Sequence, residues 1–143
     1  LLTGVWEVAK PHLQSEVAIT WALDDSVSPL YLDRASISQA FYNIIENCAQ
    51  SAPRPVRISI RTEDAGNGVR ATICDDGEGM AGDILDRIFE PFFTTRAVGS
   101  GTGLGLTVCR DTVLAHGGTI DVTSEPGSGS CFHVWFPISA TGN

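Results

Sequence analysis

Lysine is almost missing: the 143 residues hold one, Lys10, beside eight arginines. Asp and Glu together number 17, so the formal net charge is −8. That balance excludes a nucleic-acid face, which needs clustered cations against the phosphates. Any bound anion has to be met by backbone amides, a metal ion or a few arginines. Long apolar runs are also missing. Nothing approaches the roughly 20 residues that cross a bilayer, and no signal peptide opens the chain. The chain is therefore expected to make no membrane contact and to work in the cytoplasm. Its start at Leu1 reads as a fragment of something longer. Charged residues are scarce at 18%, but hydrophobic residues reach 43%, which excludes disorder. This length suits one domain with a substantial core. Cysteine is sparse too. Cys48, Cys74, Cys109 and Cys131 stand singly in apolar segments, with no metal-ligand spacing and no secreted framework. All four are expected to be reduced core residues.

What is present is a clear alternation of patterns. "LLTGVWEVAK" reads as a helical lead-in stopped near Pro11. "EVAITWALDD" sets Val17, Ile19 and Trp21 on one side of a strand. Asp33 is placed to cap "RASISQAFYNIIENCAQSA", a helix with Ile37, Phe41, Ile44, Ile45 and Cys48 on one face, ended by Pro53. "VRISIRTE" and "GVRATICD" read as a hairpin about "DAGNG". "DILDRIF" is a short helix, and "GLGLTVCRDTVLAH" a longer one closed by Gly117. "GTIDVTSE" and "SCFHVWFP" are strands about the "PGSG" turn. This order predicts an α/β (α+β) two-layer sandwich: a mixed, mostly antiparallel sheet with helices on one face.

Four segments carry possible chemistry. Asn43 and Asn47 are four apart and project from one helix face, where an amide oxygen could ligate a hard cation. Asp75 ends an apolar strand before Gly77 and Gly79; a carboxylate there can accept from an exocyclic amine, which adenine has and guanine lacks at that position. "IFEPFFTTR" gathers Phe89, Phe92 and Phe93 before Thr94, Thr95 and Arg96, either docking a loop on the core or hinging a flap whose cation reaches a phosphate. "GSGTGLGL" brings Gly101, Gly103 and Gly105 to the start of a helix, where free amides and the helix dipole attract anions.

In that order "NIIEN", "DDGEG", "FEPFFTT" and "GTGLGL", followed by "HGGTIDVTSEPGSGSCFHVWFP", resemble the N box, first glycine box, F box and second glycine box of the histidine-kinase ATP-binding domain. The resemblance covers roughly residues 12 to 138 and implies the Bergerat fold, with ATP and Mg²⁺ as cofactors. It makes residues 1–11 the tail of a preceding helical acceptor region or a linker, and 139–143 a C-terminal tail. Carried over, Asn47 ligates Mg²⁺ and Asn43 is its companion near the phosphates. Asp75 accepts from the adenine amine, and Gly77 and Gly79 shape the adenine side. Gly101, Thr102, Gly103, Leu104, Gly105 and Leu106 surround the phosphates, with Thr94 and Thr95 nearby. Ser130 supplies a hydroxyl near the adenine carboxylate. The F box and "NCAQSA" resemble the nitrogen-regulation branch of sensor kinases.

Two departures follow. Gln50 stands where many relatives carry Lys, leaving Mg²⁺, amides and Arg96 to meet the charge. Asn43 stands where hydrolytic relatives carry the Glu that activates water, and Glu46 reads as a solvated helix residue. The resemblance thus implies a domain that holds ATP for another nucleophile. None of His12, His116 and His133 lies in an acceptor-like helix, and the resemblance implies an acceptor histidine on a helical-hairpin domain elsewhere in a homodimeric parent that works, indirectly, with a response regulator. Two other readings stay open on the same fold: an anti-sigma-factor type Ser/Thr kinase, and an ATP-sensing module without transfer.

Overall fold

The computed structural model describes residues 2–9, 17–24, 30, 32–93 and 105–138. Its elements run α1 (Leu2–Ala9), β1 (Val17–Ala22), α2 (Arg34–Ala49), β2 (Val56–Asp64), β3 (Gly68–Asp75), α3 (Gly82–Leu85), α4 (Gly105–Ala115), β4 (Thr119–Glu125) and β5 (Gly129–Pro137). The five strands form one sheet in the order β1-β2-β3-β5-β4. β1 pairs with β2 in parallel, and the other three pairings are antiparallel. This is the expected mixed sheet.

The alternation in β2 buries Val56, Ile58 and Ile60 and turns Arg57, Ser59 and Arg61 outward. Helix α2 meets that dry face with Ile37, Ile44, Ile45 and Cys48, all fully buried. Ile73, Phe132 and Val134 complete the layer between sheet and helices. Each such side chain contributes about 1.5–3 kcal/mol by leaving water. Gly117, at φ +75°, turns the chain out of α4.

Several boundaries differ from expectation. α2 stops at Ala49, short of Pro53, because Ser51 folds back: its amide and its hydroxyl both donate to the Cys48 carbonyl, at 3.1 and 2.6 Å. The "DILDRIF" helix shrinks to the single turn of α3. Asp33 does precede α2 with an extended backbone, and its carboxylate accepts from the Ser36 hydroxyl at 2.6 Å. Leu2 and Val5 of α1 are buried in the shared core.

The cysteine expectation is half corrected. Cys48 and Cys109 are free and fully buried, as expected. Cys74 and Cys131 are neither core residues nor free: they are half-buried on the face away from the helices and bonded to each other. The reason is register. β3 and β5 pair so that Cys74 lies directly opposite Cys131, with Cα atoms 4.0 Å apart.

Candidate nucleotide site

The end of β3 delivers Asp75 into the interior, where its residue is 7% exposed. One carboxylate oxygen, Oδ1, accepts from the Gly77 amide at 2.9 Å. The other, Oδ2, is buried and has no hydrogen-bond partner among the described residues. A buried acceptor left unpaired costs about 1–3 kcal/mol, and among the described residues only the weakly donating Cys48 thiol is turned toward this carboxylate. Beneath it lies the Cys48 thiol of α2, pushed well up in pKa by burial and then by the Asp75 carboxylate. That thiol stays protonated at neutral pH and adds no second negative charge.

Ser130 pairs with Asp75 across the β3–β5 ladder and is itself buried. Its hydroxyl, however, meets Ser124 Oγ at 2.8 Å. Ser124 Oγ also receives the Met80 amide at 2.8 Å and donates to the Gly129 carbonyl at 3.0 Å. A hydroxyl has one proton to give. Since Ser124 spends it on Gly129, Ser130 is the donor of the pair, and its oxygen keeps acceptor capacity at the rung beside Asp75.

The two glycines after Asp75 do different things. Gly77 is buried against the Ser51 side chain, and a Cβ there would occupy the place of that hydroxyl. Gly79, at φ +71°, backs onto the Glu125 carbonyl at the end of β4, so it serves the β4–β5 turn.

On α2, Asn43 and Asn47 share a half-buried face. The Asn43 amide donates to the carbonyl of Gly105 at 3.0 Å, and its oxygen accepts from Gln39 at 3.0 Å. Asn43 therefore ties α2 to the first residue of α4. Gly105 leaves room at that seam, and Leu106 packs onto the core. Glu46 is half-buried beside Tyr42, whose hydroxyl is pushed up in pKa by burial first and then by its hydrogen bond to Glu46. It is less solvated than its polarity suggests.

The aromatic segment docks as well. Phe89 and Phe93 pack on the core, Thr107 donates to the Phe89 carbonyl at 2.9 Å, and Arg87 stacks over Phe93. Of the remaining sequence candidates, Thr94, Thr95, Arg96, Gly101, Thr102, Gly103, Leu104 and His12 lie outside the described residues. His116 sits at the end of α4, accepting the Asp33 amide at 3.1 Å; His133 is on the outer sheet face beside Thr123.

Sequence reasoning missed Cys48, Ser51, Ser124 and Gly129 as supports of this site. Gly129 has φ +83°, and its missing Cβ leaves room for the Asp75 carbonyl. The only signal was a second glycine in "PGSGS", which a turn explains equally well.

Comparison with known proteins gives a consistent result. The family described as histidine kinase-, DNA gyrase B-, and HSP90-like ATPase matches residues 32–140. Sensor histidine kinase ZraS of Escherichia coli K12 is 38% identical over 126 residues, covering 88% of this chain and 27% of that protein. The histidine-protein kinase AtoS of the same strain is 38% identical over 132 residues, covering 92% and 21%. The chain thus spans about a quarter of the length of these relatives. The catalytic domain of histidine kinase ThkA superposes with a TM-score of 0.83 at 26% identity, covering 99% of this chain and 93% of that one. Full-length ShkA, solved in complex with AMPPNP, superposes with a TM-score of 0.78 at 28% identity, covering 99% and 30%.

Proposed function

The chain belongs to the histidine kinase-, DNA gyrase B- and HSP90-like ATPase family, and from that membership we propose that it holds ATP for phosphoryl transfer to a histidine on a separate helical-hairpin domain of its parent. The observation that carries the proposal is the unpaired, buried Oδ2 of Asp75. An adenine amine is a donor of the right kind for it, whereas guanine would set a carbonyl against a carboxylate. Gly77 packs tightly against Ser51 and donates its amide to Oδ1, which holds the carboxylate in place. The AMPPNP bound to the full-length ShkA relative supports an ATP-type ligand.

The phosphate side falls to the glycine stretch and the start of α4, where helix amides and dipole favour anions, with Thr94, Thr95 and Arg96 as the sequence assigns them. Asn47 would hold Mg²⁺ through its amide oxygen, a hard donor that such an ion accepts; once bound, the ion neutralises triphosphate charge. Asn43, committed to Gly105, is an amide and cannot act as a general base for water. The domain therefore keeps ATP in place until another nucleophile arrives. We assign residues 12–138 to this domain and 1–11 to the end of a preceding helical region. "NCAQSA" and the F box support the nitrogen-regulation branch. A dimeric parent with a response regulator, acting from the cytoplasmic side, completes the reading.

The test is Asp75→Asn, which replaces one acceptor by a donor at equal size. ATP affinity measured by calorimetry is expected to fall by on the order of 1–3 kcal/mol, with preference over GTP lost. In the same variant, acid-labile phosphate on a supplied acceptor domain should fall in step. Unchanged ATP affinity overturns the assignment, and acid-stable label on Ser or Thr overturns the histidine as acceptor.

A further inference from the structure

The rung Asp75↔Ser130 is the last of the β3–β5 ladder, and the rung before it is Cys74↔Cys131. Alternation sends Asp75 and Ser130 inward, where both are buried, and sends the two sulfurs to the outer face, where both residues are half-buried. Terminal rungs fray most readily; here Asp75 also pairs with Ile58 of β2 and Ser130 with Ser124 of β4, so the freedom that is left lies in the β3–β5 rung itself. A covalent bond one rung inward removes that freedom. It also joins residues 57 apart in sequence, enclosing α3, α4 and β4.

We propose that Cys74 and Cys131 are a reversible thiol–disulfide site whose bond clamps the Asp75–Ser130 rung and so strengthens adenine-nucleotide binding. This rests on the reading of Asp75 as the adenine acceptor. The chemistry needs a small disulfide as oxidant. One cysteine thiolate attacks a sulfur of that disulfide, forms a mixed disulfide and expels a thiolate. The second cysteine then attacks the protein sulfur, expels the other thiolate, and the two cysteine protons pass to the leaving thiolates. Two electrons leave the protein pair and reduce the small disulfide. A dithiol reverses both steps and itself becomes a disulfide. Cys74 lies opposite Ser59 of β2, with Arg57 and Arg61 two residues to either side on the same outer face. In a reducing compartment such a bond is characteristically transient and regulatory.

Cys48 and Cys109 are free but 0% exposed, so they act as internal controls. The chain is treated with oxidised glutathione or with dithiothreitol, alkylated without denaturation, and weighed by mass spectrometry. Reduced protein should take alkyl groups at Cys74 and Cys131 alone, and oxidised protein at neither. AMPPNP with Mg²⁺ should bind the oxidised form at least about threefold more tightly, because fraying lowers the binding-competent fraction. Cys131→Ser should stay at the reduced value under both treatments. Equal affinities, tighter binding by the reduced form, or two alkylated thiols after oxidation each overturn the proposal. Should neither form bind AMPPNP, it is the ATP reading that has failed. Hydrogen exchange then decides the clamp: slower exchange at Asp75 and Ser130 on oxidation supports it, and equal exchange overturns it.

Discussion

At the scale of single residues, the site depends on groups that leave space as much as on groups that fill it. Gly129 and Gly127 both have positive φ, at 83° and 82°, yet only Gly129 faces the Asp75 carbonyl; nothing lies within 4 Å of the place a Cβ would take on Gly127. Gly127→Ala should therefore cost only the left-handed backbone penalty, about 1–2 kcal/mol. Gly129→Ala should cost more than that and weaken ATP binding as well, since Asp75 has to move. Thermal melting and nucleotide titration of both variants check this; equal losses would show that the Gly129 seam does not support the site. The contrast was not legible in the sequence, where "PGSGS" offers two glycines of equal standing. The place of Asp75 at the end of β3 was legible, because a carboxylate ending an apolar strand before two glycines is chemically conspicuous. The proton accounting that makes Ser130 a donor to Ser124 was not, because it depends on which hydroxyls meet.

Among the elements, α2 combines two roles on one rod. Its apolar face closes the core, and its amide face reaches α4 through Asn43 and the Gly105 carbonyl. Asn43→Ala should cost about 1 kcal/mol in denaturant unfolding, the net worth of one half-buried hydrogen bond. Gln39→Ala, which removes only an exposed partner of the same side chain, should cost less. An Asn43→Ala variant as stable as the parent would mean that the α2–α4 seam is held by apolar packing alone. Periodicity made α2, β2 and β3 readable, since each buries one face at a fixed repeat. Ends were less readable: the Ser51 turn closes α2 before Pro53 can. The cysteine pairing was unreadable for a stronger reason. It is set by the register of β3 against β5, a tertiary pairing that the spacing of 57 residues in the chain does not encode.

On the scale of the whole molecule, the net charge of −8 opposes any approaching polyanion. Chelating Mg²⁺ should therefore weaken ATP binding more than ADP binding. Raising salt from about 50 mM to about 500 mM should narrow the gap, because screening shortens the reach of the repulsion. Calorimetry across that range checks it, and an ATP affinity indifferent to the chelator would remove the metal from the proposed site. The fold class was legible from the order of strands and helices, with one exception of emphasis: α1 contributes Leu2 and Val5 to the shared core. The parallel pairing of β1 with β2 has its own consequence. A parallel neighbour can be reached only by a connection that runs back along the sheet, and α2 lies in the chain between the two strands. That return path lays α2 across the face on which Val56, Ile58 and Ile60 are buried. On β3 the same face holds Ile73 and Asp75, and the opposite face holds Cys74. The return path of one connection thus roofs the carboxylate and leaves the sulfur within reach of the solvent.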